Sequence, residues 1–75
     1  MQQWEYLYGY VYQLVQGQPF RWIGGPADTS VLDAGGIRRI EDARQAMLNS
    51  LGGEGWELVA VDDRKLYFKR PKAQA

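Results

Sequence analysis

The segment Leu48-Asn49-Ser50-Leu51-Gly52-Gly53-Glu54-Gly55-Trp56-Glu57-Leu58-Val59 constrains the fold more than any other part of this chain. Within it helical spacing ends, glycines reverse the chain, and the strand alternation of Trp56, Leu58 and Ala60 begins. Glycine suits a helix end because the left-handed cap conformation costs it no side-chain clash. Gly52 or Gly53 is therefore expected to close a helix that runs back to about Ile37. Along that helix Ile37, Ile40, Ala43, Met47, Leu48 and Leu51 fall on one stripe, at spacings of three and four. Glu41 and Asp42 suit the positive end of its dipole.

Strand patterns flank the helix on both sides. From Trp4 to Leu14 the chain alternates with a period of two, as a β-strand does. One face reads Trp4, Tyr6, Tyr8, Tyr10, Tyr12, Leu14, and the other reads Glu5, Leu7, Gly9, Val11, Gln13, Val15. Gly9 in mid-strand marks a bulge or a close backbone approach. Gln16-Gly17-Gln18-Pro19 reads as a turn into a short second strand, Phe20–Ile23. Residues 24–36 show no convincing period and form a long loop, in which Val31 and Leu32 are expected to reach the core and Asp33 to cap the helix. Trp56–Val61 and Leu66–Arg70 form a closing hairpin around Asp62-Asp63-Arg64-Lys65. The predicted order is β-β-α-β-β, an α+β fold with a four-stranded antiparallel sheet and one helix packed on one face. Residues 1–75 make a single domain, with 1–3 and 71–75 expected to fray.

The chain has 75 residues, and a domain of this size buries only about 60% of the surface its unfolded chain exposes. Cysteine and histidine are both absent, so disulfides and the usual zinc site cannot strengthen it. Self-association remains, and ten aromatic residues, five of them tyrosine, can supply the contact area. Nine basic and nine acidic residues leave no net charge, unlike a dedicated nucleic-acid binder. No apolar run approaches a membrane span, and the Met1-Gln2-Gln3-Trp4-Glu5 start lacks a secretion signal, so a cytoplasmic protein with no membrane association is expected.

Three parts of the sequence resemble the DUF4177 family of small bacterial and phage domains. Trp4-Glu5-Tyr6 resembles the opening of its first strand. Leu48-x-x-Leu51-Gly52-x-Glu54-Gly55-Trp56-Glu57-Leu58-Val59 is similar to its central signature, and Tyr67-Phe68-Lys69-Arg70-Pro71 to its closing strand. The tyrosine-rich first strand and the length of the 24–36 connection depart from that pattern. The resemblance implies the fold and a bacterial or phage setting. The family has no general activity, cofactor or catalytic residues to carry over.

Candidate chemistry is sparse. Glu54 and Glu57 flank Trp56, but a strand turns Glu57 away from it, and charged residues are mostly solvated. Asp62 and Asp63 suit a turn and supply too few oxygen ligands for calcium. Gly52–Gly55 lie at a helix C-terminus, where the dipole repels anions; Asp33-Ala34-Gly35-Gly36 precedes a helix but lacks a phosphate-loop fingerprint. Ser30 and Ser50 have no base nearby in sequence, and an exposed lysine is a poor base at neutral pH. No enzyme and no cofactor is expected.

The aromatic ladder is the main anomaly. Trp4, Tyr6, Tyr8, Tyr10, Tyr12 and Trp56 are candidates for the sheet face under the helix, yet one helix cannot cover them all. Part of that face, or the Leu7-Val11-Val15 stripe opposite, should stay open and mark an interface. The leading expectation is a non-enzymatic module that self-associates, a homodimer first, through Leu7, Val11, Val15, Tyr8, Tyr10 and Tyr12. An unidentified protein partner is a further expectation. A single-stranded nucleic-acid site on Arg64, Lys65, Tyr67, Lys69 and Arg70 is an alternative, as is a small-molecule pocket walled by Arg21, Trp22, Asp33 and the 24–36 loop.

Overall fold

The long helix, α2 (Ile40–Gly53), ends where the glycine-rich segment places a stop, but through a different glycine. Gly52 and Gly53 remain helical, Glu54 is the cap residue, and Gly55 takes the left-handed conformation with φ 93°. The Gly55 N–H donates to the Gly52 carbonyl at 3.0 Å, and the Trp56 N–H donates to the Leu51 carbonyl at 2.9 Å. This pair of bonds is a Schellman motif, which normally brings together the side chains at its two ends. Here those are Leu51 and Trp56, both buried in the core. Helix termination and core packing are thus one event.

The computed structural model describes residues 1–25, 29–33 and 36–72. Four strands, β1 (Trp4–Tyr12), β2 (Arg21–Gly24), β3 (Glu57–Asp62) and β4 (Lys65–Pro71), form one antiparallel sheet in the order β2-β1-β4-β3. The fold is α+β with the expected β-β-α-β-β order. The two hairpins meet at the centre, where β1 pairs with β4 from Trp4↔Pro71 to Gly9↔Leu66. The 24–36 segment contains a short helix, α1 (Ser30–Asp33), whose Leu32 is buried and whose Val31 packs on the core as expected. Asp33 therefore ends α1 and does not cap α2. The α2 cap position is Arg39, in extended backbone and without a side-chain cap bond. At the termini, the Lys72 N–H donates to the Gln3 carbonyl at 2.8 Å, so the pairing continues one step past Pro71; the expected frayed residues 73–75 lie outside the described residues.

One helix covers one face, and the face it covers is the aliphatic one. Leu7, Val11, Trp22, Leu66 and Phe68 are buried under α2, against its Ala43, Met47 and Leu51. The register explains the choice. Leu7 stands opposite Phe68 and Val11 opposite Trp22, whereas Tyr6 stands opposite Lys69 and Tyr12 opposite Arg21, which need water. The tyrosine ladder is thus on the helix-free side, and only Trp56 of the expected aromatic set enters the core. Leu7 and Val11, expected among the open interface residues, are 5% and 1% exposed and already packed within their own chain. β1 also stops at Tyr12, so Leu14 and the third member of that stripe, Val15, lie beyond it and are exposed.

Gly9 is a close-approach glycine. A Cβ there would sit 2.3 Å from the Ile23 carbonyl oxygen and 2.5 Å from Trp22 Cζ2, with Gly24 opposite it across the strands. The missing side chain lets the Trp22 indole lie over the β1–β2 ladder. Gly9→Ala is expected to lower the unfolding free energy by about 1–3 kcal/mol, the usual cost of overpacking. Gly52→Ala, where a Cβ meets open space on a helix, should be neutral or stabilising by up to about 1 kcal/mol. Urea denaturation of both variants checks the pair.

Candidate interaction surface

Strand alternation sends Trp4, Tyr6, Tyr8, Tyr10 and Tyr12 of β1 to the side without a helix, and the register adds Ile23 of β2, Ala60 of β3 and Tyr67 of β4. Tyr6 is 71% exposed and Tyr8 61%, so water covers most of these rings. Tyr8 and Tyr67, directly opposite each other, stack with centroids 5.7 Å apart and planes 24° apart. Tyr10 and Tyr12 lie 6.1 Å apart in a tilted arrangement. The Lys69 ammonium sits 4.3 Å from the Trp4 ring centroid, a cation–π distance. Register places Arg21, Lys65 and Lys69 on this face together with Glu57 and Asp62, so it carries both signs of charge.

The strand edges differ. β2 pairs with β1 only from Gly9 to Tyr12, so Trp4–Tyr8 have β4 on one side and no strand on the other among the described residues. A cleft of about 520 Å³ runs along this free stretch, between Tyr6, Tyr8, Ile23, Gly25, Trp56 and Arg70. At the other side of the sheet, β3 is exposed throughout and carries an irregularity between Leu58 and Ala60.

Arg70 turns away from the open face. Its Nε donates to the Glu5 carboxylate, its guanidinium lies 4.3 Å over the Trp56 ring, and its Nη1 donates to the Glu54 carbonyl at 3.2 Å. One side chain thus ties β1, β4 and the end of α2 together. It stands apart from the rest of the expected nucleic-acid set. Lys65, Tyr67 and Lys69 share the open face, and Arg64, in the hairpin turn, lines a cleft of about 410 Å³ together with Arg38, Tyr10 and Tyr12. The structure does bring together Arg21, Trp22 and Asp33, which line a polar cleft of about 210 Å³ with Tyr12, Phe20 and Thr29. Trp22 is itself a core residue, with its indole edge-on to Phe68 at 6.4 Å. The rest of that expected pocket, at residues 26–28 and 34–35, lies outside the described residues.

Sequence reading missed that Tyr6 and Trp4 are exposed, that Glu5 holds Arg70, and that Trp4–Tyr8 pairs on one side only among the described residues. The first has only a partial signal: in β4, Leu66 and Phe68 alternate with Lys65, Tyr67 and Lys69, which separates an apolar face from a wet one, but it takes the β1–β4 register to put the tyrosines on the wet side. The other two depend on register and strand length. Glu54, Glu57, Asp62 and Asp63 are all exposed, and among the described residues no group of three potential metal ligands converges. No helix among the described residues is long and apolar enough to cross a membrane. Comparison with family models, with curated proteins and with solved structures finds no match, so the reading of this surface rests on its own geometry.

Arg70→Ala is expected to lower stability by about 1–2 kcal/mol, because it removes a partly exposed ion pair and a cation–π contact together. Arg70→Lys should recover only part of the loss, since an ammonium cannot reproduce the planar fork. Urea denaturation followed by tryptophan fluorescence measures both.

Proposed function

We propose that this chain is a non-enzymatic interaction module that pairs with itself, in the cytoplasm. The observation that carries the reading is the helix-free sheet face, where Trp4, Tyr6, Tyr8, Tyr10 and Ile23 lie together and Tyr6 and Tyr8 are mostly exposed. Contiguous apolar surface of this kind typically marks an interaction site, and tyrosine is enriched at interfaces. Its mixture of Arg21, Lys65 and Lys69 with Glu57 and Asp62 suits a second copy of the same surface better than a strongly charged partner. Native mass spectrometry at micromolar concentration should show a dimer. Tyr8→Lys, which adds charge at an exposed position, should shift that population at least about tenfold toward monomer while circular dichroism stays unchanged. A wild-type monomer overturns the reading.

A second reading has one observation in its favour. The stacked Tyr8–Tyr67 pair beside Lys65 and Lys69 offers rings for bases and cations for phosphates, as single-strand-binding sheets do. The absence of net charge weighs against it. Fluorescence anisotropy with a single-stranded oligonucleotide at low salt tests it, and an unchanged signal excludes it.

A further inference from the structure

The charges on the helix-free face are sorted by strand. Across the sheet, β2 brings Arg21, β1 brings the uncharged rings of Trp4 and four tyrosines, β4 brings Lys65 and Lys69, and β3 brings Glu57 and Asp62. Register sets these groups in rows. Tyr6, Lys69 and Glu57 share one row, and Tyr8, Tyr67 and Ala60 share the next. In the row after that, Ile23 and Tyr10 lie level with Lys65 and Asp62. Arg21 lies beyond it, at the end of the sheet that the Asp62-Asp63-Arg64-Lys65 turn closes. Lys69 already sits over the Trp4 ring of its own chain, so the rings of this face accept a cation.

Two sheets stacked in the aligned way keep their strand directions close, so a two-fold axis between the layers runs either across the strands or along them. An axis across the strands lays every strand on its own copy, wherever along the strand it falls. The lysines of β4 would then meet β4, the carboxylates of β3 would meet β3, and like charges brought together cost affinity. An axis along the strands reverses the order. We infer that a second copy of this chain docks in the reversed order, about a two-fold axis that runs along the strands between β1 and β4. This rests on the self-association reading and names the geometry it uses. Lys65 then faces the partner's Tyr10 and Lys69 faces the partner's Tyr6, the kind of contact Lys69 makes with Trp4. Tyr8 faces the partner's Tyr67, and Arg21 faces the acidic turn at the partner's Asp62. Glu57 keeps Lys69 of its own chain beside it. The sorting of charge by strand thus makes this face complementary to itself in one orientation and repulsive in the other.

Asp62 separates the two axes by the sign of one effect. The axis along the strands sets it near the partner's Arg21, whereas an axis across them sets it against the acidic β3 of the partner. Asp62→Asn removes the charge and keeps a side chain that suits a turn. It should raise the dimer dissociation constant at least about threefold, and Asp62→Arg or Arg21→Asp at least about tenfold. The double variant, Arg21→Asp with Asp62→Arg, should return to within about threefold of wild type, because each reversed charge again meets its opposite. Both side chains are exposed, so none of these changes disturbs the core. Sedimentation equilibrium at low salt, where surface charges act most strongly, supplies the constants, and circular dichroism checks the fold. A dimer that Asp62→Asn tightens or leaves unchanged, or that the double variant does not recover, overturns the axis along the strands and leaves self-association standing. A wild-type monomer overturns both.

Discussion

One helix has to cover a sheet of four strands, and it has only one side to offer. Every later feature of the molecule depends on that limit. The α2 stripe of Ala43, Met47 and Leu51 seals Leu7, Val11, Leu66 and Phe68 from water, and the described residues hold no second long helix for the reverse face. Because strand side chains alternate strictly, burying Leu7 forces Tyr6 and Tyr8 outward. The β1–β4 register then carries the decision across the sheet, placing Phe68 with Leu7 and Lys69 with Tyr6. A slip of one residue would exchange the two faces and drive lysine under the helix.

The two ends of β1 are held in different ways. Near Gly9, two glycines face each other and the Trp22 indole fills the space their missing side chains leave. Near Glu5, a charged side chain does the fastening: Arg70 joins Glu5, the Trp56 ring and the Glu54 carbonyl, and so locks the Schellman turn to the sheet. Between these anchors no strand among the described residues pairs with the outer side of β1 from Trp4 to Tyr8. This follows from unequal lengths, since β2 runs only from Arg21 to Gly24 while β1 runs from Trp4 to Tyr12. Those same residues carry the aromatic face. Our proposal of self-association grows from that aromatic face.

The candidate chemistry points the same way. Exposed Glu54, Glu57, Asp62 and Asp63 are solvated carboxylates, and the Arg70 contacts to Glu5 and to the Glu54 carbonyl fasten parts of the molecule to one another. The one expected cluster that converges, Arg21 with Trp22 and Asp33, does so because α1 folds back beside β2, a placement no local pattern announces.

Most of the element order was legible in the chain itself. Period-two runs, a stripe at helical spacing and glycines between them are local signals, and they placed four strands and the long helix within a few residues of their observed ends. Local signals could not choose between Leu7-Val11 and the tyrosines as the buried face, because both stripes of β1 are apolar enough to pack. They could not identify Gly55 as the left-handed residue among three neighbouring glycines, nor foresee that Val15 lies past the end of its strand. Those outcomes depend on which strands lie side by side and for how far. Sequence alone determined that this chain makes strands, turns and one amphipathic helix, since each is encoded by residues near one another. Tertiary structure alone decided which face stays wet and which edge stays unpaired, since both are set by contacts between residues tens of positions apart.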